Sequence, residues 1–159
     1  VSIELTPGQK DFTPVVWLID HGGNTMAKIL IVDDDPDILL AMRLTLKDAG
    51  HEVIEANNGT KALALVKSAL PDLIVLDVSM DSVTEGLKLA MMLRSPDPTA
   101  EYARFSHIPL LMVTAINSAT SLHFDADVDY IPVDEFVDKP IDPDDLVKKV
   151  EALLHPQST

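Results

Sequence analysis

Four hydrophobic runs in this chain each end on a residue able to handle a phosphoryl group or the metal that accompanies one. Ile29–Val32 leads into Asp33, Asp34 and Asp35, and Leu73–Leu76 into Asp77. Leu110–Val113 leads into Thr114, and Phe136 and Val137 into Asp138, Lys139 and Pro140. Apolar, largely β-branched runs of this length read as strands buried on both faces, the pattern of a parallel sheet. Ligands of open parallel sheets sit beyond the carboxyl ends of the strands. Acids, a hydroxyl and an ammonium are therefore predicted to converge on one edge of one sheet.

The rest of the chain suits a single domain. It has 159 residues, 47% of them hydrophobic and only 4% aromatic, which predicts one largely aliphatic core. The net charge of −14, from 26 acids against 12 bases, argues against a nucleic-acid or anionic-membrane partner. With no cysteine there are no disulfides, thiolate zinc sites or cysteine nucleophiles, as suits a reducing cytosol. No apolar stretch approaches the roughly 18 residues of a membrane span. The first 25 residues lack the cationic and apolar regions of a signal peptide. The expected compartment is cytoplasmic.

Strands are expected at Lys28–Asp33, His51–Glu55, Leu73–Leu76, Ile108–Val113 and Glu135–Val137. Helices are expected at Pro36–Ala49, Thr60–Leu70 and Glu85–Arg94, and after the N-cap Asp142. The stripe of the second helix places Ala62, Leu63, Val66, Ala69 and Leu70 inward. Ser95–His107 reads as a long Pro-bearing loop. Strand–helix alternation implies right-handed crossovers and an α/β sandwich. At this size the flavodoxin-like order 2-1-3-4-5, a five-stranded parallel sheet with about five helices, is expected. Residues 1–25 hold the lone Trp17 and precede Met26, which looks like a natural start. They read as a leader or extension outside the fold, with the domain over 26–156 and a tail at 157–159.

With strands one and three adjacent, Asp33, Asp34 and Asp77 fall within several ångströms of each other. Two carboxylates 4 Å apart repel by roughly 4 kcal/mol at an effective dielectric of about 20, so three together need a cation or a raised pKa. The donors are hard oxygens, which selects Mg²⁺, or Mn²⁺, over zinc. Asp35 before Pro36 is instead a helix N-cap. Lys139 would neutralise a carboxylate at rest and a phosphoryl oxygen afterwards. Thr114 is either a strand-ending β-former or a hydroxyl aimed into the same pocket.

The ordered set ILIVDDDPD, LIVLD, LLMVTA and FVDKP resembles the receiver domain of two-component response regulators, from Ala27 to about His155. The resemblance implies that Asp77 accepts a phosphoryl group from a sensor histidine kinase or a histidine phosphotransfer protein. It implies Mg²⁺ held by Asp34, Asp77 and the backbone carbonyl of Ser79, with Asp33 bound through a water. Thr114 and Lys139 would grip the phosphoryl oxygens, and the Lys139–Pro140 peptide would be cis. Phe136 matches the family's aromatic switch position and reads equally well as a core strand residue.

Three departures from the family pattern stand out. Met80 is followed by Asp81 rather than Pro, with Glu85-Gly86 one residue later than usual. Ser95–His107 is long. Between Thr114 and Lys139 the fourth helix lacks its periodicity. Ser79 and Ile116, two beyond Asp77 and Thr114, offer no long polar side chain to orient an attacking water, which predicts slow dephosphorylation. The leading expectation is a stand-alone phosphorelay receiver working through protein contact. The alternative is a degenerate receiver binding its partner without phosphorylation, although the acid pair, acceptor and lysine that such a protein would lose are present. A small hydrolase using an aspartyl phosphate typically has a second acid two residues after the nucleophile, where this chain has Ser79.

Overall fold

The computed structural model describes residues 25–78, 83–115 and 133–156. Five strands form one parallel sheet: β1 (Lys28–Val32), β2 (Glu52–Ala56), β3 (Leu73–Asp77), β4 (Leu110–Ala115) and β5 (Glu135–Lys139). Their spatial order is β2-β1-β3-β4-β5, the expected flavodoxin-like topology. Four helices lie among the described residues: α1 (Pro36–Asp48), α2 (Gly59–Ala69), α3 (Val83–Leu93) and α4 (Pro143–Leu154). The remaining helix expected between Thr114 and Lys139, the leader expected over 1–25 save Thr25, and the tail at 157–159 lie outside the described residues.

The central strands are buried on both faces, and their alternation divides the core into two layers. Leu30, Val32, Ile74, Leu76 and Met112 point to the side holding Ala62, Val66, Leu89 and Leu93 of α2 and α3. Ile29, Ile31, Val75, Leu111 and Val113 face Leu39, Met42, Leu46, Leu146 and Val150 of α1 and α4. Each fully buried aliphatic side chain contributes about 1.5–3 kcal/mol. An ionised group at Leu30, at the centre of the sheet, would break the fold.

Local signals set the helix boundaries. Asp35 caps α1 by accepting the Asp37 N–H at 2.9 Å, and Gly50, with φ of +94°, carries the chain out of that helix. Asn58 caps α2 through the Lys61 N–H, and Asp142 caps α4 through the Asp145 N–H. One side chain departs from its helical stripe. Leu70, expected inward, follows the end of α2 in the left-handed region with φ of +49° and is 62% exposed. Pro71 disfavours continued α geometry at the residue before it, so the stripe ends with the helix.

The connection over Ser95–His107 is a folded element rather than a bare loop. It contains a 3₁₀ turn at Ala103–Phe105 and buries Tyr102 and Phe105 against the core. Arg94 donates to the Ser106 carbonyl and to Asp134 Oδ2, the latter at 2.5 Å; Asp134 Oδ2 also accepts the Leu110 N–H at 2.7 Å. The end of α3, this connection and the beginnings of β4 and β5 are thereby joined. Because Phe105 and Ile108 pack as core residues before the sheet is reached, β4 starts two residues later than its apolar run suggests.

A polar link closes the opposite side. Buried His51 accepts the Ala27 N–H on Nδ1 at 3.2 Å, which leaves the proton on Nε2 to donate to Glu151 Oε1 at 2.7 Å. It ties the start of β1 to the last helix.

Candidate functional site

The parallel register decides which side chains meet. Val32 pairs with Leu76, Asp77 with Val113, and Ala115 with Lys139. Asp33, just past β1, therefore lies beside Asp77 at the end of β3, with Thr114 and Lys139 on the strands beyond. All four are at the carboxyl edge of the sheet, as expected. Asp33, Asp77 and Thr114 are buried, while Asp34 is exposed. One oxygen from each of Asp33, Asp34 and Asp77 lies within 4.8 Å of the others.

Lys139 enters this cluster from β5. Its Nζ is 3.1 Å from Asp77 Oδ1 and 3.7 Å from Asp33 Oδ2. Asp33 Oδ1 accepts the Asp35 N–H at 2.8 Å, whereas its buried Oδ2 has no hydrogen-bond partner. Burial pushes the Asp33 carboxyl up to about 6. The Asp35 N–H opposes that rise, Asp77 adds to it, Lys139 opposes it, and Asp34 adds a smaller contribution. Three carboxylates against one ammonium leave two negative charges at this edge when all are ionised, with Asp33 and Asp77 buried and Asp34 open to water. The orphaned oxygen and an all-oxygen donor set fit a hard divalent cation.

The Thr114 hydroxyl donates to the Ala115 carbonyl at 3.2 Å. Phe136, paired across the sheet with Met112, is half-buried against the α2–α3 side of the core. Its carbonyl accepts from Lys149 Nζ of α4 at 2.5 Å. The Lys139–Pro140 peptide is cis, as expected. Ser79, whose carbonyl was expected at the metal, lies outside the described residues.

Two functional neighbours escaped the sequence reading. A Cβ on Gly86 would stand 2.6 Å from the Asp77 carbonyl oxygen and 3.0 Å from Val78 Cα, so α3 rests directly on the backbone of Asp77. Glu85 Oε1 accepts the Gly59 N–H at 3.2 Å, fastening α3 to the start of α2. The adjacent Glu-Gly pair was their one visible signal, and it stood out only as a displaced motif.

The fold and this constellation define a class, and comparison with known proteins bears it out. The family model for the response regulator receiver domain matches residues 29–151, and the chain belongs to that family. Receiver domains are signalling phosphoacceptors of two-component systems; they bind Mg²⁺ and interact with histidine kinases or phosphotransfer proteins. The chain is 35% identical over 131 residues to the DNA-binding dual master transcriptional regulator RpaA of Synechocystis sp., covering 81% of this chain and 49% of that protein. Protein PilH of Pseudomonas aeruginosa is 30% identical over 129 residues, covering 81% of this chain and 98% of PilH. The crystal structure of the chemotaxis response regulator CheY4 of Vibrio cholerae superposes with a TM-score of 0.67 at 32% identity, covering 81% of this chain and 99% of that one. The chain spans about half the length of RpaA and of several other curated relatives it matches. Among the described residues, no helix is long and apolar enough to cross a membrane.

Proposed function

We propose that Asp77 is the phosphoacceptor of a phosphorelay, receiving its phosphoryl group from a sensor histidine kinase or a histidine phosphotransfer protein. The observation that carries this reading is the 3.1 Å ion pair between Lys139 Nζ and Asp77 Oδ1 at the carboxyl edge of the sheet. A carboxylate oxygen of Asp77 attacks phosphorus in line. The O–P bond forms as the P–N bond of the phosphohistidine breaks, and the departing imidazole keeps the electron pair. Lys139 turns its ammonium from carboxylate to phosphoryl oxygen, and Thr114 rotates its hydroxyl from the Ala115 carbonyl toward another. Catalysis is mostly positioning and electrostatics.

Asp33, Asp34 and Asp77 would hold Mg²⁺, or Mn²⁺, with the Ser79 carbonyl as a further donor and Asp33 acting through a water, as the family resemblance implies. When bound, that ion supplies neutralising charge to the phosphoryl oxygens. The movement of Thr114 opens space for Phe136 to turn inward, a population shift between two packings of β4 and β5. Output is through protein contact, in the cytoplasm.

The test is incubation with a small acyl phosphate and Mg²⁺, read by intact mass for wild type and Asp77→Asn. The expected result is one covalent phosphoryl adduct on the wild type and none on the variant. No adduct on the wild type favours a degenerate receiver that binds partners without phosphorylation, and an adduct surviving Asp77→Asn moves the acceptor elsewhere.

A further inference from the structure

Asp33 and Asp77 come from different strands, so their separation depends on what holds the two strand ends beyond the last pairing, Val32 with Leu76. Lys139 supplies one tie, with its Nζ 3.7 Å from Asp33 Oδ2 and 3.1 Å from Asp77 Oδ1. A second tie runs round the site through α2 and α3. The Asp33 N–H donates to the Ala56 carbonyl at 3.2 Å, joining the residue after β1 to the last residue of β2. The chain then passes through Asn57 and Asn58 to Gly59, the buried first residue of α2, whose N–H donates to Glu85 Oε1 at 3.2 Å. Gly86, next to Glu85 in α3, lies against the backbone of Asp77. Asp33, Ala56, Gly59, Glu85, Gly86 and Asp77 thus form a closed frame beside the acids.

This frame has no slack on either side of α3. A Cβ on Gly59 would stand 3.2 Å from Glu85 Oε1, and one on Gly86 would stand 2.6 Å from the Asp77 carbonyl oxygen and 3.0 Å from Val78 Cα. Two consecutive residues of α3 therefore bear on two other elements at once, and the start of the helix acts as a spacer between α2 and the end of β3. Every other contact in the frame is main chain, so Glu85 is the one link that depends on a side chain. A carboxylate suits the place, because the first main-chain N–H groups of α2 lack helical partners and carry the positive end of its dipole. Asn58, the cap of that helix, is committed to the Lys61 N–H and leaves the Gly59 N–H to Glu85.

We propose that Glu85 is a positioning residue of the acid site, closing the frame that sets Asp77 against Asp33 and Asp34 and so tuning their affinity for a divalent cation. It acts through Gly59 and Gly86, with the reach of its side chain as the working property. Sites of this kind tolerate little displacement, and the residues that hold the ligands in place matter nearly as much as the ligands. The inference rests on reading the three acids as a cation site and not on which group accepts a phosphoryl.

The test is calorimetric titration of the full chain with MnCl₂, together with thermal melts of the metal-free protein, for wild type and three variants of Glu85. Glu85→Ala should weaken Mn²⁺ binding about tenfold. Glu85→Gln keeps an oxygen at the right reach for the Gly59 N–H without the charge, and should bind nearly as the wild type does. Glu85→Asp keeps the charge but falls one methylene short, and should weaken binding as alanine does. If the alanine variant does not fold, the Gln and Asp pair decides. His51→Leu, which disturbs the opposite edge of the sheet, should lower the melting temperature and leave Mn²⁺ affinity unchanged. The proposal is overturned if Glu85→Asp binds as the wild type does, or if Glu85→Gln falls as far as Glu85→Asp, since charge and not reach would then be at work. It is also overturned if His51→Leu weakens binding equally, which would make the effect a general loosening. A wild type that binds no Mn²⁺ overturns the cation reading itself and this inference with it, whereas binding indifferent to Glu85 overturns the inference alone.

Discussion

Gly86 stands so close to Asp77 that a single added methyl would meet the Asp77 carbonyl oxygen at 2.6 Å. The neighbouring atom is backbone, which cannot rotate away as a side chain would. Gly86→Ala should therefore move α3 or displace the end of β3, at a cost of about 1–3 kcal/mol. The accompanying result is slower phosphorylation by a small donor. Gly50→Ala is the control: it forces a side chain into the left-handed region, costing about 1 kcal/mol, but meets nothing within 4 Å and should leave phosphorylation unchanged. Denaturant melts together with phosphorylation rates separate the two. Equal rates in both variants would remove Gly86 from the site.

The raised Asp33 carboxyl makes the metal-free protein pH-sensitive in a direction opposite to most surface acids. The folded group holds its proton up to about 6, while the unfolded group releases it near 3.8. Between those values the folded state binds more protons, so this contribution to stability falls as pH rises and is fully lost above about 6. The separation is worth on the order of 3 kcal/mol. Without metal, Asp33→Asn should flatten the slope between pH 4 and about 6 and raise stability at neutral pH. A wild-type slope matching that of the variant would refute it.

The same group links metal binding to protons. If Asp33 must ionise for Mg²⁺ to settle, affinity should weaken by about tenfold one pH unit below its midpoint and level off above pH 7. Tryptophan emission is a convenient probe only if Trp17 responds, so calorimetry in two buffers of different ionisation heat is the better measurement. Binding that takes up no proton change near pH 6 would contradict the assignment.

His51 should matter for stability and not for signalling. Its replacement by leucine strips the Ala27 N–H and Glu151 of a buried partner, an expected loss of about 2–4 kcal/mol. The phosphorylation rate should be unaffected, because the link lies at the edge of the sheet away from the acids. Thermal melts and intact mass, run on one sample, decide it.

With Ser79 and Ile116 at the positions two beyond Asp77 and Thr114, the phosphorylated form is expected to last on the order of minutes or longer, since neither side chain can orient water as a polar group would. Decay within seconds, followed by mass after removal of the donor, would show another residue in that role.

Much of the site was legible because a buried parallel strand announces itself twice, through β-branched runs and through the polar residue at its end. Asp33, Asp77, Thr114 and Lys139 were found that way; the parallel sheet followed from the alternation, and its order from the flavodoxin-like topology natural at this size. Asp35 was legible as a cap from Pro36 alone. What escaped depended on chain distant in sequence or on main-chain geometry. Leu70 fits a helical stripe, and only the backbone turn before Pro71 puts it outside. Tyr102 and Phe105 carry no periodicity, so their burial does not show in a loop-like stretch. His51 has its acid a hundred residues away. Gly86 was noticed for where it fell in a motif, while its meaning lies in the atom it approaches.

The bridge from Arg94 through Asp134 turns the Ser95–His107 connection into a ruler. It measures the distance from the end of α3 to the first residues of β5, and Phe136 sits two positions beyond the point it marks. Phe136 itself is held in register opposite Met112. Cutting the brace at Arg94 would loosen the start of β5, two residues short of the aromatic ring, while leaving the contacts of Lys139 with Asp33 and Asp77 intact.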